Sequence, residues 1–123
     1  MRLLLDTHVL LWWLGDDRRL GAVHRELIAD AGNTVLVSAM AVAEIAIKVS
    51  LGKLDAPDDL LPTLDEGGFE HLPFGASHAD ALRTLPWHHR DPFDRMLIAQ
   101  AITEQLTVLT VDPHFAAYDV ARI

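Results

Sequence analysis

His88-His89-Arg90-Asp91-Pro92-Phe93-Asp94-Arg95-Met96-Leu97-Ile98-Ala99-Gln100-Ala101 begins as a polar loop and ends as an apolar helix, with two aspartates at the join. Asp91 followed by Pro92 is the pattern of a helix cap and a proline at the first helical position, where a missing N–H costs nothing. Asp94 is then the third helical residue, on the first turn and aimed back toward the helix N-terminus. Capping alone explains this pair, with Asp94 standing where a capping box carries Glu or Gln. What adds meaning is that three other acids have equally specific places.

C-terminal to this stretch, Leu106-Thr107-Val108-Leu109-Thr110-Val111 is an apolar strand, and Asp112-Pro113 repeats the cap-plus-proline pattern. Helical residues to about Tyr118 follow, and residues 120–123 can add an edge strand. At the other end of the chain, Leu3-Leu4-Leu5 is a continuous apolar run, as in a strand buried on both faces, and it stops at Asp6. Residues 7–14 then form a helix ended by Gly15. Asp6 caps that helix or, on the functional reading, places a carboxylate at the edge of an open α/β sheet where ligands sit. Trp12 and Trp13 point about 100° apart on a helix, so one is expected in the core and the other partly exposed, a candidate partner contact.

Between these ends the chain alternates. A helix runs from near Asp17 or Leu20 to Ala31, then a strand over 34–37, then a helix over 39–50 capped by Ser38. Glu44 interrupts that helix among Ala41, Val42, Ala43, Ile45 and Ile47, a costly place for a carboxylate unless it is paired or metal-bound. Lys48 supplies a favourable i,i+4 partner, so both readings stay open. A short helix is expected near 57–66 and an edge strand over 69–74. A helix from Ala76 or Ser77 to Leu85 follows, with His78 and Asp80 capping it in solvent.

Composition narrows the choices. The 123 residues make one domain spanning 1–123, and 50% of them are hydrophobic, which excludes disorder. A net charge of −8, from 18 acids against 10 Lys and Arg, argues against a broad phosphate-binding face. A nucleic-acid partner would need a local basic patch, a metal or a second protein. Cysteine is absent, which excludes a disulfide framework, a zinc-thiolate site and a thiol nucleophile. Residues 1–14 carry Asp6 and His8 inside the apolar run. They make neither a signal peptide nor a membrane span, which fits a cytoplasmic protein.

Strands alternating with helices predict an α/β sandwich with a mostly parallel central sheet and helices on both faces. There, Asp6 and Asp112 lie just past strand ends, Asp94 on the first turn of the preceding helix, and Glu44 about two turns into another. Four converging carboxylates repel one another and raise one another's pKa values unless a divalent cation neutralises them. All-oxygen ligation favours Mg²⁺ or Mn²⁺ over Zn²⁺ and suits phosphodiester hydrolysis.

Leu4-Leu5-Asp6-Thr7-His8, Ser38 with Glu44-Ile45-Ala46-Ile47-Lys48, the run from His89 to Ala101, and Leu109-Thr110-Val111-Asp112 together resemble a PIN-domain ribonuclease, more narrowly a VapC-type toxin. The resemblance covers essentially the whole chain, and its most specific part is His-Arg-Asp-Pro-Phe-Asp-Arg. It implies a PIN-like three-layer sandwich and a metal-dependent endoribonuclease, with Asp6, Glu44, Asp94 and Asp112 as the metal-binding acids. Asp91 is a nearby acid that need not be a ligand. It also implies a homodimer, an RNA substrate and a cognate antitoxin.

Thr7 and Thr110 are candidate hydroxyl donors to the acids or to phosphate. Arg90 and Arg95, with His88 and His89, form the only concentrated basic patch near them. That patch serves substrate phosphate or makes salt bridges to Asp91 and Asp94, the latter favoured for Arg95. Two rival classes fit less well. An aspartate-nucleophile phosphatase expects an Asp where His8 stands, and a phosphoacceptor receiver needs a late Lys, whereas none follows Lys53. A non-catalytic binding module would not require the intact acid set.

Overall fold

Leu3, Leu4 and Leu5 are fully buried in the computed structural model, which describes residues 1–123. They form β1 (Arg2–Leu5), a strand covered on both faces, as its unbroken apolar run requires. β2 (Thr34–Ser38) lies parallel on one side of it and β4 (Thr107–Leu109) parallel on the other, while β3 (Glu70–Leu72) extends the sheet beyond β2. The order is β3-β2-β1-β4, all parallel. The chain builds outward from β1 to β3 and then crosses back to place β4 against the opposite side of β1. That reversal opens a crevice between the carboxyl ends of β1 and β4.

The alternation of side chains along the strands divides the core in two. Leu3, Leu5, Val35, Val37 and Leu109 face one layer, made by α1 (Thr7–Leu14), α2 (Ala22–Ala29), α3 (Ala39–Ser50) and α4 (Leu60–Glu66). Leu4, Leu36, Leu72 and Val108 face the other, where α6 (Pro92–Glu104) packs with Leu85, Phe115 and Tyr118. α5 (Ala76–Ala81) packs beside α6 on that layer. The three-layer sandwich is thus present, and no helix is long and apolar enough to cross a membrane.

Local chemistry explains most boundaries. Ser38 accepts from the N–H of Met40 and starts α3 where the sequence places its cap. Asp91 accepts from Asp94 N–H at 3.0 Å, with Pro92 opening α6. Several elements are shorter than the sequence suggests, β3, β4 and α4 by one to three residues at an end. α2 starts only at Ala22, because the residues before it are drawn into a turn in which Arg25 donates to the Leu20 and Asp17 carbonyls. α5 ends at Ala81, before the loop whose carbonyls at Leu85 and Pro86 turn inward to Arg95. The C-terminal tail makes a single bridge, Val108 to Arg122, in place of a strand. After Asp112 the helix is a 3-10 turn, Pro113–Ala117.

Three side chains depart from their expected settings. His78 is buried, not solvated: its Nδ1 accepts from Gly75 N–H and its Nε2 meets Glu104 Oε1 at 2.9 Å. Trp12 and Trp13 do not divide into one core and one exposed ring, since both are half-buried against the same layer.

Gln100, fully buried on α6, ties that helix to the sheet. It accepts from the Ser38 hydroxyl and donates from Nε2 to the Pro73 carbonyl at 3.2 Å. Replacing Gln100 with Leu leaves the buried Ser38 hydroxyl without its acceptor, and the expected loss is about 1–3 kcal/mol of unfolding free energy. Urea denaturation measures this, and a variant as stable as the parent would show the tie to be dispensable.

Candidate active site

Asp6 follows β1 directly, and its N–H donates to the Leu109 carbonyl at 3.0 Å, so it lies in the crevice between β1 and β4. It occupies the cap position of α1, yet its side chain makes no capping hydrogen bond. Thr110 Oγ1 donates instead to Asp6 Oδ2 at 2.7 Å, and the same oxygen accepts from Asp112 N–H at 3.0 Å. One hydroxyl therefore orients the first acid and fixes the backbone that carries the last. Asp6 is only 2% exposed, and burial pushes its carboxyl above the ordinary range. Thr110 and His8 oppose that shift, while the charge of Asp112 adds to it.

Asp94 rises from the first turn of α6. Its pKa is pushed up from an ordinary 3.8 to about 6, first by burial and then by the negative charges of Asp91, Asp6 and Asp112, against a hydrogen bond from His89. Asp112 goes the other way: burial alone would raise it, but the hydrogen bonds from His114 hold it below the usual range. Its Oδ1 accepts from His114 N–H at 2.9 Å and lies 2.8 Å from His114 Nδ1. Asp94 Oδ1 and Asp112 Oδ2 have no protein donor, and so remain available to a ligand.

Glu44 is buried on α3, with both carboxylate oxygens engaged. Lys48 Nζ lies 2.5 Å from Oε2, and Thr7 Oγ1 donates to Oε1 at 2.8 Å. The i,i+4 pair that the sequence allowed is thus formed. It still borders the other acids, for the Lys48 pKa is raised by the hydrogen bond to Glu44 and further by the charges of Asp91 and Asp94. Asp6, Asp94 and Asp112 accordingly share one electrostatic neighbourhood. No three Asp, Glu or His groups stand close enough to form a ready-made ligand shell.

Two histidines brace the acids. The rings of His89 and His114 stack, with centroids 5.1 Å apart and planes at 9°. His89 Nε2 lies 3.1 Å from Asp94 Oδ2 and its Nδ1 lies 2.8 Å from the Tyr118 hydroxyl. Arg95 Nη1 donates to that hydroxyl at 3.0 Å, which leaves the Tyr118 proton to point at His89 Nδ1 and the Nε2–H to point at Asp94. His114 and Tyr118 were not singled out by the sequence. They meet the acids only through the fold, and Tyr118 carries no local motif.

Arg95 does not make the salt bridges considered for it. It is 3% exposed, has no salt bridge to Asp91 or Asp94, and donates to the Pro86 and Leu85 carbonyls at 2.6 and 3.1 Å. The carbonyls of the 85–86 loop outcompete the acids because they converge where the side chain is buried. Arg90, by contrast, is exposed. Asp91 spends one oxygen on the α6 cap, and its charge adds to the raised pKa of Asp94.

The donor set suits a hard divalent cation. It is all oxygen, two of its oxygens lack protein donors, and two of its carboxyls are held above their ordinary pKa by burial and mutual repulsion that such an ion relieves. Asp6, Asp94 and Asp112 are the residues that would hold it.

The PIN domain family pattern matches residues 3–121 of the chain. No curated protein gives a significant sequence match. Among solved structures, VapBC2 from Rickettsia felis bound to a promoter DNA fragment is similar at TM-score 0.75 and 19% identity, covering 100% of this chain and 98% of that one. FitAcB from Neisseria gonorrhoeae is similar at TM-score 0.66 and 26% identity, covering 98% and 96%. DNA-bound VapBC from Salmonella typhimurium is similar at TM-score 0.72 and 17% identity, covering 100% and 96%.

The raised pKa of Asp94 has a consequence for stability. The folded protein binds a proton there more tightly than the unfolded chain, so this group destabilises the fold as pH rises from about 4 to about 6, and the cost stays in place above that. In metal-free buffer, Asp94→Asn should therefore be more stable than the parent by roughly 1–3 kcal/mol at pH 7.5, with the gap closing toward pH 4. Denaturant titrations at the two pH values measure it, and a gap that does not depend on pH would contradict the site's electrostatics.

Proposed function

The chain belongs to the PIN-domain family, and we propose that it is a metal-dependent endoribonuclease acting as the toxin of a toxin–antitoxin pair. The observation that carries this reading is the gathering of Asp6, Asp94 and Asp112 at the sheet's topological switch point, where burial first, and then one another's negative charge, raises the pKa of Asp6 and Asp94. Structural acids serving separate helix ends would not perturb one another in this way. The likeness to VapBC and FitAcB structures supports the toxin assignment, and an antitoxin partner with it.

A divalent cation, Mg²⁺ or Mn²⁺, held by Asp6, Asp94 and Asp112 would supply Lewis acidity toward a phosphoryl oxygen and toward the attacking water. The chain's own residues prepare that chemistry. Thr110 fixes the rotamer of Asp6, and His89 fixes that of Asp94. His114 keeps Asp112 ionised. Glu44 is placed by Thr7 and Lys48 at the margin of the cleft, either to join the ligands or to orient water. Arg90 and Lys48 provide positive charge near an otherwise acidic cleft, which an RNA backbone requires of a chain with net charge −8. The proposed setting is cytoplasmic, with the protein as a homodimer that its antitoxin inhibits.

The assignment is tested by incubating the protein, free of antitoxin, with single-stranded RNA and Mg²⁺ or Mn²⁺. Cleavage should occur, stop with EDTA, and fall to background in Asp6→Asn. Equal cleavage by Asp6→Asn and the parent, or none by either with both ions supplied, would sink the nuclease reading.

A further inference from the structure

Trp87 is 76% exposed, the most exposed large apolar side chain of the molecule. A lone exposed aromatic ring is ordinary surface. What marks this one is how it is held and what surrounds it. The Arg95 guanidinium lies 3.7 Å from the ring centroid and is locked from behind by the Leu85 and Pro86 carbonyls and the Tyr118 hydroxyl. One face of the indole therefore rests on a buried, hydrogen-bonded plate, which sets the ring's orientation before anything binds. Trp87, His88, His89 and Arg90 together line a cleft of about 600 Å³. His89 is the shared wall, since its Nε2 lies 3.1 Å from Asp94 Oδ2. His88 is held edge-on to Tyr118, with centroids 4.8 Å apart.

We propose that this cleft is a nucleotide subsite, in which a base of single-stranded RNA next to the scissile phosphate stacks against Trp87 while Arg90 meets its backbone. The proposal rests on the nuclease reading and deepens it. Planar aromatic surface beside a cationic side chain is what unpaired bases use, because every base offers a flat π face and a neighbouring phosphate. The lining also favours RNA over a protein anchor. A protein hot spot sets its tryptophan among apolar neighbours in a dry pocket, whereas the neighbours on this cleft are two imidazoles and a guanidinium. The subsite also helps explain how an acidic protein retains an anionic polymer without a broad basic face.

The test separates binding from turnover. In the Asp6→Asn background, the affinity of a fluorescein-labelled, mixed-sequence single-stranded oligoribonucleotide is measured by anisotropy with Trp87 intact, Trp87→Ala and Trp87→Phe, alongside an abasic ribose-phosphate oligomer of the same length. Trp87→Ala should weaken RNA binding about fivefold or more, and Trp87→Phe should restore most of it. The abasic oligomer should bind more weakly than RNA to the Trp87 protein and be indifferent to the Trp87 substitutions. Arg90→Ala should lower the salt dependence of RNA binding by about one phosphate contact. Because Trp87 is so exposed, its substitution is not expected to unfold the chain, and circular dichroism checks this.

Equal RNA affinity with and without the indole overturns the subsite, including the case in which neither protein binds, and leaves the exposed ring as a protein contact. If the parent enzyme still cuts RNA in that case, the nuclease reading survives the loss.

Discussion

A carboxylate closes the central strand of this sheet. Asp6 follows three fully buried leucines, so its charge stands where the backbone leaves the core and where water is scarce. Leaving such a group unpaired is expensive. The fold meets the cost with a hydroxyl, Thr110 just past the end of the neighbouring strand, and that choice organises what surrounds it. The hydroxyl that stabilises Asp6 also accepts from the backbone of Asp112, so registering β4 against β1 sets two acids at once. A lysine or arginine in the place of Thr110 would neutralise Asp6. A hydroxyl orients it and leaves its charge unneutralised, as the proposed cation site requires.

The same economy governs Asp94. Its neighbour His89 is part of a chain of contacts running from the buried guanidinium of Arg95 through Tyr118 to the imidazole and on to the carboxylate. Arg95 is one residue from Asp94 along α6, yet it points away from it and into the loop before the helix. One arginine thus stiffens the loop, supports the ring of Trp87, and, at one remove, fixes the tautomer that faces Asp94. Packing and chemistry are coupled here because a single buried cation must satisfy its donors on whatever oxygens are within reach.

Much of this was legible in the sequence wherever the cause was local. The Asp91-Pro92 start of α6, the Ser38 cap, the Gly15 stop and the buried leucine run are decided by residues a few positions apart, and each stands where expected. The Glu44–Lys48 pair was one of two open readings because i,i+4 spacing is local, whereas the Thr7 hydroxyl that holds the other oxygen comes from 37 residues away. Arg95 was misread because spacing along a helix suggested Asp91 and Asp94, while the carbonyls that claim it belong to a loop with no motif. Tyr118 and His114 could not be found at all from sequence, since their contacts with the site depend on a 3-10 turn where a regular helix was expected. His78 follows the same rule: its Glu104 partner lies 26 residues on.

On the proposed function an acidic protein handles an acidic polymer, which needs charge arranged by place and not by total. Lys48 on α3, itself paired with Glu44, and Arg90 in the loop before α6 stand on the side of the acids, while Arg2, Arg18, Arg19 and Arg25 lie in other parts of the chain. Of these, Arg19 and Arg25 are already committed to Asp17 and Asp16. On the proposed function, the cleft offers a phosphate backbone a cation, an aromatic plane and a metal-suited acid set in succession. Repulsion over the rest of the surface would then contribute to selectivity, because a strand can approach in the one region where local attraction outweighs the net charge. Salt blunts that contrast, because screening weakens the long-range repulsion of distant carboxylates before it weakens contacts made inside the cleft.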